Sequence, residues 1–309
     1  MKTNRIRLFF VITLFFALWS CASAQDPEKP AEDAASFGTV MLNSGYEMPV
    51  FGVNCSTLPA EKAESLVYEA IRTGFRLIMT GGTAANEEGS GKGIQKAVEE
   101  KLVSRDDLFL VNIYSEMSED DDPNEVIKAA LERLGLEYLD MMILRQSIFS
   151  RDLAAWQAME QASDAGLIRS LGLSGFSDVR NFDLFVSNAA SIQPAVLMTE
   201  LHPYAQQTDI RTHLEPTGTL LVSDAPLGEI GEKQVVFADP AVSVAASWYQ
   251  KTSSQVILRW QLQSGNIFLP AVSDEVGIDE YFRILDFELT EEEMEKINAL
   301  DRPVFYLYY

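Results

Sequence analysis

The stretch Phe75–Gly91, FRLIMTGGTAANEEGSG, decides how this chain folds. Its first half is an apolar run typical of a buried β-strand, and the run breaks at Thr80-Gly81-Gly82, where glycine allows backbone conformations that other residues avoid. A polar turn follows, and Asn86-Glu87-Glu88-Gly89 opens a helix. The stretch therefore predicts a strand that passes through a tight turn directly into a helix.

The same alternation repeats along the chain. Short apolar runs predict strands at 50–55, 76–80, 108–113, 139–145, 169–175, 195–201, 220–225 and 267–272. Amphipathic patterns predict helices near 60–73, 89–101, 123–134, 152–165, 178–188, 207–215, 241–264 and 275–283.

This alternation predicts an α/β protein with one parallel sheet. Strands such as Leu139–Arg145 are apolar at nearly every position, which indicates burial on both faces. Eight units without a second domain predict a single (β/α)8 TIM barrel, preceded by a short N-terminal hairpin at 40–50. The structural alternative is an open, doubly wound sheet, but no G-x-G-x-x-G follows any predicted strand.

The first 24 residues have the features of a secretory signal peptide. Lys2, Arg5 and Arg7 precede an apolar run, and Ala22-Ser23-Ala24 is a small-residue cleavage site. We predict cleavage before Gln25 and a secreted or periplasmic location, with an uncleaved membrane anchor as the alternative.

The rest of the chain divides into three predicted segments. Residues 25–37 are an acidic flexible linker, residues 38–302 form the barrel, and residues 303–309 are an aromatic tail. Loss of residues 1–24 would remove Cys21 and leave Cys55 alone, so no internal disulfide is expected and Cys55 is predicted to be a buried thiol.

The composition excludes several kinds of partner. The net charge of −22 repels nucleic acid and anionic membranes, and we expect no membrane span in the mature chain. Only two histidines are present, so no histidine-rich metal site is predicted.

Several segments together match the sequence pattern of one enzyme family. They are LNSGYEMPVFGV (42–53), NEEGSGKGI (86–94), LERLGLEYLD (131–140), GLIRSLGLSGF (166–176), HPYAQ (202–206), QVILRW (255–260) and DFELTEEEMEKI (286–297). Over about residues 42–300 the chain resembles the aldo-keto reductases. The resemblance implies an eight-stranded barrel that binds NADPH and reduces aldehydes and ketones.

The resemblance also identifies four catalytic positions at the ends of strands two to four. In the family a tyrosine protonates the carbonyl oxygen, a lysine paired with an aspartate lowers the pKa of that tyrosine, and a histidine orients the substrate. The aspartate, tyrosine, lysine and histidine positions hold Met79, Ala84, Ile113 and Arg145. An active enzyme would therefore need substitutes, of which Tyr114 and Arg145 are the candidates.

Three positions match the family's cofactor-binding residues, namely Ser174, Leu227 and Glu280. The position of the aromatic residue that stacks on the nicotinamide holds Asp224. Arg145 is expected to reach solvent or to pair with a carboxylate such as Asp224, because a buried unpaired guanidinium is costly.

In this chain, different residues occupy the positions that bind the 2′-phosphate in the family. They fall at 269–272 and at Gly277, near the carboxylates of Asp274, Glu275 and Asp279, whose negative charge opposes a phosphate. We therefore predict no cofactor, with NADP(H) as the cofactor if the site persists.

The main functional prediction is a secreted, catalytically inactive member of this family. It would act as a scaffold or by binding a small apolar ligand or a protein. The first alternative is a divergent NADPH-dependent oxidoreductase that reduces aldehydes or ketones with substitute residues. The second alternative is a dinucleotide sensor without turnover.

Overall fold

The computed structural model describes residues 37–114, 121–176, 178–189, 191–228 and 232–302. The predicted signal peptide, nearly all of the predicted linker and the aromatic tail lie outside these ranges. Phe37, assigned to the linker, packs its ring against Phe51 with the ring centroids 5.0 Å apart.

Within the described residues the strands alternate with helices. The strands are β1 (Thr39–Met41), β2 (Glu47–Pro49), β3 (Val53–Asn54), β4 (Leu77–Gly81), β5 (Phe109–Ile113), β6 (Leu139–Arg145), β7 (Ile168–Ser174), β8 (Val196–Thr199), β9 (Leu220–Ser223) and β10 (Ile267–Phe268). The helices are α1 (Ala60–Thr73), α2 (Ala84–Glu99), α3 (Pro123–Leu134), α4 (Phe149–Asp164), α5 (Val179–Ala189), α6 (Thr208–Leu214), α7 (Glu232–Ala238), α8 (Pro240–Tyr249), α9 (Ser253–Gln263), α10 (Glu275–Phe282) and α11 (Glu291–Asn298).

The sheet closes into a barrel. Strands β3 to β10 pair in parallel and in chain order. Parallel bridges Phe51↔Phe268 and Asn54↔Ala271 join the two ends of the sheet, and the Asn54 N–H donates to the Pro270 carbonyl at 2.9 Å. The predicted (β/α)8 barrel is confirmed, and the open sheet is excluded.

Apolar side chains fill two concentric layers. The inner layer lies inside the barrel and includes Leu77, Val111, Met141 and Val222. The outer layer lies between the strands and the helices. Both faces of the strands are therefore buried, which is why the strand sequences are continuously apolar.

The N-terminal hairpin closes one end of the barrel. Strands β1 and β2 pair antiparallel, and Leu42 and Met48, each 2% exposed, pack on the inner layer. The Ser44 and Ser170 hydroxyls are hydrogen-bonded at 2.7 Å, which places the hairpin beside the start of β7. The opposite end, where the strands finish, is left for a ligand site.

Some predicted element bounds are wrong. Helix α2 begins at Ala84, earlier than predicted, because the Thr83 side chain accepts a hydrogen bond from the Asn86 N–H and caps the helix. The predicted helix 241–264 is two helices, separated at Gln250, which adopts a left-handed conformation with φ of 56°. None of the described helices is long and apolar enough to cross a membrane.

Candidate functional site

The carboxyl ends of β4 and β5 contribute apolar side chains to the barrel interior. Met79 pairs with Val111 in the ladder, and Gly81 pairs with Ile113. Met79 and Ile113 belong to the inner layer and are only 1% and 7% exposed. Two of the four positions aligned with catalytic residues are therefore core contacts in this chain.

The other two aligned positions lie at the surface of the barrel mouth. Ala84 is exposed in the first turn of α2, and Arg145 is exposed at the end of β6. Within the described ranges Arg145 forms no ion pair with Asp224, which is half-buried. The suggested Arg145–Asp224 pair is wrong, and the alternative, Arg145 reaching solvent, agrees with its exposure.

A cavity of about 310 Å³ opens beside Arg145. It lies at the carboxyl ends of β5 and β6, next to the first turns of α4. Its polar lining consists of Tyr114, Arg145, Gln146, Ser147, Arg151 and Asp152. Residues that carry a phenol, two guanidinium groups and a carboxylate therefore border this cavity, at the end of the barrel where function is expected.

Tyr114 supplies the phenol. Its backbone N–H donates to the Ile143 carbonyl at 2.8 Å, which continues the pairing of β5 with β6. The side chain is 7% exposed and packs in the outer layer, at the border of the cavity. Burial, together with the nearby Asp121 and Asp122 carboxylates, raises the pKa of the Tyr114 phenol well above its ordinary value. The phenol therefore keeps its proton at neutral pH and can act as a proton donor there.

Asp152 fixes the loop between β6 and α4. One carboxylate oxygen accepts the Ser147 N–H at 2.9 Å, and the other accepts the Ser147 hydroxyl at 2.7 Å. Asp152 is 2% exposed. Both of its oxygens thus serve to position the loop that carries Gln146 and Ser147 along the cavity wall.

Asn86 connects three segments at the entrance of the site. Its side-chain oxygen accepts the Gly81 N–H at 3.1 Å, and its amide nitrogen donates to the Cys55 and Leu58 carbonyls at 2.9 and 3.0 Å. Gly81 has φ of +102°, and a Cβ there would lie 2.5 Å from Oδ1 of Asn112. The stretch Phe75–Gly91 is therefore a structural junction as well as part of the site.

Sequence reasoning missed a buried polar network behind this junction. Asn112 donates to Glu87 at 2.9 Å and accepts from the Thr80 hydroxyl at 3.0 Å. Glu87 is fully buried and forms a salt bridge with Arg133 at 2.6 Å. Polar residues at Thr80 and Asn112, inside otherwise apolar strands, are the signal from which this network could have been found.

The three predicted cofactor positions differ in what they offer. The Ser174 hydroxyl is buried at the end of β7 and has no hydrogen-bond partner within the described chain. Leu227 is 6% exposed and packs in the outer layer. Glu280 accepts the Thr252 hydroxyl at 2.5 Å. Of the three, Ser174 has the unused hydrogen-bonding capacity that a nicotinamide carboxamide would fill.

The N-terminus of α10 does not suit a 2′-phosphate. Asp274 accepts the Gly277 N–H at 2.8 Å and the Ser273 hydroxyl at 3.1 Å. Both hydrogen bonds lower the pKa of the Asp274 carboxyl, and the one from the Gly277 N–H has the larger effect. The helix end that could bind an anion is therefore already capped by a carboxylate. The Ser174 hydroxyl suits the nicotinamide end of a dinucleotide. The Asp274 carboxylate opposes a 2′-phosphate, and the Lys62 ammonium, which donates to the Ser273 carbonyl at 3.1 Å, offsets part of its charge.

Comparison with known proteins gives matches along nearly the whole described chain. The Aldo/keto reductase family model matches residues 36–302. The chain is 33% identical over 268 residues to glyoxal reductase of Bacillus subtilis, covering 85% of this chain and 93% of that protein. It is 28% identical over 300 residues to NAD(P)H-dependent D-xylose reductase I,II of Candida tropicalis, covering 85% and 92%.

Solved structures agree with these matches. The Bombyx mori aldo-keto reductase in complex with NADP superposes with a TM-score of 0.73 at 26% identity, covering 85% of this chain and 92% of that chain. An aldo/keto reductase from Brucella melitensis superposes with a TM-score of 0.74 at 28% identity, covering 85% and 99%.

These relatives contradict the main functional prediction. They match over nine-tenths or more of their own length and are named as reductases, and nothing in the described residues shows inactivity. The prediction of an inactive scaffold or binding protein is therefore wrong, and the oxidoreductase alternative agrees better with the relatives. The family model matches the whole barrel, and a relative is more than 30% identical over most of the chain. The chain therefore belongs to the aldo/keto reductase family.

Proposed function

We propose that this protein is a divergent NAD(P)H-dependent oxidoreductase that reduces the carbonyl group of small aldehydes or ketones. The observation that carries the proposal is the cavity at the carboxyl end of the barrel, which is lined by the Tyr114 phenol and the Arg145 guanidinium. The names of the relatives, which include a glyoxal reductase and a D-xylose reductase, support the same class of reaction.

The site offers a place for the reducing end of the cofactor beside this cavity. Ser174 pairs with Arg145 in the ladder between β6 and β7. Its unpartnered hydroxyl would hold the carboxamide of the nicotinamide. When bound, the cofactor would supply a hydride to the carbonyl carbon of the substrate.

Tyr114 and Arg145 would have different roles toward the substrate. A guanidinium does not lose its proton near neutral pH, so Arg145 would orient the substrate through hydrogen bonds and would not supply a proton. Tyr114, kept protonated by burial, would donate its phenolic proton to the oxygen as negative charge develops there. A hydride on carbon and a proton on oxygen give the alcohol, and the phenol is restored from solvent.

The test measures binding and turnover of the same preparation. Residues 25–309 are titrated with NADH and with NADPH by tryptophan fluorescence. Loss of nicotinamide absorbance is then followed with glyoxal, D-xylose and other small carbonyl compounds. We expect saturable binding of at least one dinucleotide and measurable reduction of at least one carbonyl compound. Binding without any turnover would overturn the reductase proposal in favour of the sensor, and no binding of either dinucleotide would overturn both.

Two variants connect the result to the site. Ser174→Ala removes the unpartnered hydroxyl, and losing one hydrogen bond should raise the dinucleotide Kd about 5- to 10-fold, or about 1 kcal/mol. Ser170→Ala is the matched control, because Ser170 lies on the same strand but pairs with Ser44 at the opposite end of the barrel. If Ser174→Ala and Ser170→Ala change the dinucleotide Kd equally, Ser174 does not bind the cofactor.

A further inference from the structure

Two arginines line the cavity of a strongly acidic protein. The chain carries 24 lysines and arginines against 46 aspartates and glutamates, yet Arg145 and Arg151 line the same cavity. Arg145 ends β6, and Arg151 is in the first turn of α4. The loop that Asp152 holds in place through Ser147 joins these two elements.

Arg145 is available to a ligand. It is exposed, and within the described ranges it forms no salt bridge. The neighbouring Ser174 has a hydroxyl without a partner in the described chain, so the wall next to Arg145 can also accept a polar group. A guanidinium that ends a barrel strand and faces a cavity can bind a planar anion through two parallel hydrogen bonds.

The described carboxylates near the cavity do not pair with Arg145. Asp152 directs both carboxylate oxygens to Ser147. Asp121 and Asp122 act on Tyr114, but both are exposed, so water and salt screen their effect on a charge across the cavity. Of the charged residues that line the cavity, Arg145 is therefore the one on which an anion site can be argued, because no described carboxylate pairs with it.

The size of the cavity restricts the ligand. A volume of about 310 Å³ is at the lower end for small-molecule sites, which run from roughly 300 to 1,000 Å³. The Ile113 and Leu144 side chains supply an apolar wall. A compact molecule with a short apolar part and one anionic group fits this lining.

We infer that the cavity selects small carbonyl compounds that carry an anionic group, with the anion on Arg145 and the carbonyl oxygen near Tyr114. This inference rests on the proposed function and adds a substrate class to it. A carboxylate suits the planar guanidinium, and a phosphate ester offers the same charge. The shared chemistry is therefore an anion-bearing aldehyde or ketone, and the experiment separates its two sources.

Two matched pairs of compounds test the inference. Pyruvate and diacetyl have nearly the same shape, but only pyruvate is charged. Dihydroxyacetone phosphate and dihydroxyacetone form the corresponding pair for phosphate. Binding to residues 25–309 is measured by calorimetry in the presence of NAD⁺, which cannot reduce the ligands, and turnover is measured separately with NADH.

We expect the charged member of at least one pair to bind about tenfold or more tightly than the neutral member, as expected for a charge-assisted hydrogen bond. A preference within the first pair identifies a carboxylate, and one within the second identifies a phosphate. Added salt should weaken binding of the charged member only.

Variants assign the effect to Arg145. Arg145→Gln should abolish the preference for the charged member, and Arg145→Lys should restore part of it. Arg72→Gln is the control, since Arg72 is exposed in the last turn of α1 and lies outside the cavity lining. The Arg72→Gln variant should bind like the parent chain.

The outcomes separate this inference from the proposed function. Selective binding of the anion without turnover would support the inference and overturn the reductase proposal. The inference would be overturned if the protein reduces both members of each pair but binds them equally well. It would also be overturned if the Arg145→Gln variant still prefers the charged member. The reductase proposal would remain in both cases.

Discussion

Tyr114 and Arg145 have different chemical capacities, although both line the cavity. A guanidinium such as that of Arg145 can orient a polar group of the substrate, but it does not donate a proton near neutral pH. Tyr114 can deliver one, and the raised pKa of its phenol means that the proton is present throughout the neutral range. An alkoxide formed by hydride transfer is a much stronger base than a phenolate, so a phenol with a raised pKa still protonates it.

The variant Tyr114→Phe tests this assignment. Removal of the hydroxyl should lower kcat for carbonyl reduction by about 10²–10⁴-fold, the usual contribution of a general acid, with little change in thermal stability. Tyr249→Phe is the control, because the Tyr249 hydroxyl bonds Glu293 on α11, outside the cavity. If kcat falls only slightly, and equally, in Tyr114→Phe and Tyr249→Phe, then water rather than Tyr114 donates the proton to the carbonyl oxygen.

The raised pKa of Tyr114 also predicts a pH profile. The phenol stays protonated up to and beyond its ordinary value near pH 10, so the rate of reduction should not fall between about pH 7 and pH 9. Alcohol oxidation needs the phenolate as a base, and it should therefore be slow until the pH exceeds the ordinary phenol range. A reduction rate that falls through about pH 8 would contradict this role of the phenol.

Helix α2 shows how an element is held at the active end of the barrel. Its first turn carries Asn86, which bonds the Gly81 N–H and the Cys55 and Leu58 carbonyls. The next residue, Glu87, bonds Asn112 on β5 and Arg133 on α3. Asn86 and Glu87 therefore join α2 to its neighbouring segments. This structural role does not depend on the reaction at the carboxyl end of the barrel.

The Glu87–Arg133 pair predicts a large loss of stability from a small change. Glu87→Gln leaves Arg133 without its anion in a mostly buried place, and breaking such a pair costs about 3–5 kcal/mol. Because Arg133 keeps some exposure, we expect the lower end of that range. Denaturant unfolding measures the change.

The control for this prediction lies on the neighbouring helix. Glu125→Gln breaks the Glu125–Lys128 pair within α3, where both side chains are exposed. Such surface pairs contribute about 0–1 kcal/mol. Equal losses from Glu87→Gln and Glu125→Gln would mean that the buried network does not hold α2 in place.

Helix α10 predicts which dinucleotide the protein prefers. The Asp274 carboxylate caps this helix and has a lowered pKa, so it stays charged at neutral pH and repels a 2′-phosphate. We expect NADH to bind more tightly than NADPH. Asp274→Asn should improve NADPH binding about fivefold, since one repulsion between solvated charges at contact distance is about 1 kcal/mol. NADH binding should change little.

Fluorescence titration of both dinucleotides checks this preference. Asp286→Asn is the control, because Asp286 is an exposed carboxylate that pairs with Lys251. Tighter binding of NADPH than NADH by the parent chain would show that the phosphate binds elsewhere, away from the α10 cap.

At the scale of the whole molecule, the barrel could be predicted because both faces of its strands are buried. A continuous apolar run between two amphipathic patterns is typical of a strand enclosed by helices on one face and by the barrel interior on the other. The eight runs correspond to β3–β10. The break within the predicted helix 241–264 could not be predicted, because it is made by Gln250 rather than by glycine or proline.

The site was harder to predict than the barrel. The resemblance to the family assigned Met79, Ile113 and Arg145 to the ends of three strands, and these residues lie in β4, β5 and β6. The Glu87 network depends on contacts between residues 25 and 46 positions apart, and no local pattern indicates such distances. The cavity depends on where the loop after β6 turns, which Asp152 sets through two hydrogen bonds to Ser147.

The N-terminal sequence predicts where the whole chain is sent. We propose that the first 24 residues direct export and are removed before Gln25. Export would take Cys21 away and leave Cys55 as the single thiol. Cys55 is fully buried, and burial raises the pKa of its thiol to about 12, so almost no thiolate is present near neutral pH.

We therefore expect the exported protein to have the mass of residues 25–309. It should show no thiol that reacts with Ellman's reagent when folded, and one when denatured. The protein is expressed with its own N-terminus in a bacterial host, and intact mass, thiol count and cell fraction are measured together. A mass that includes residues 1–24, or two thiols after denaturation, would contradict cleavage. Recovery of that longer chain in the membrane fraction would identify the uncleaved anchor instead.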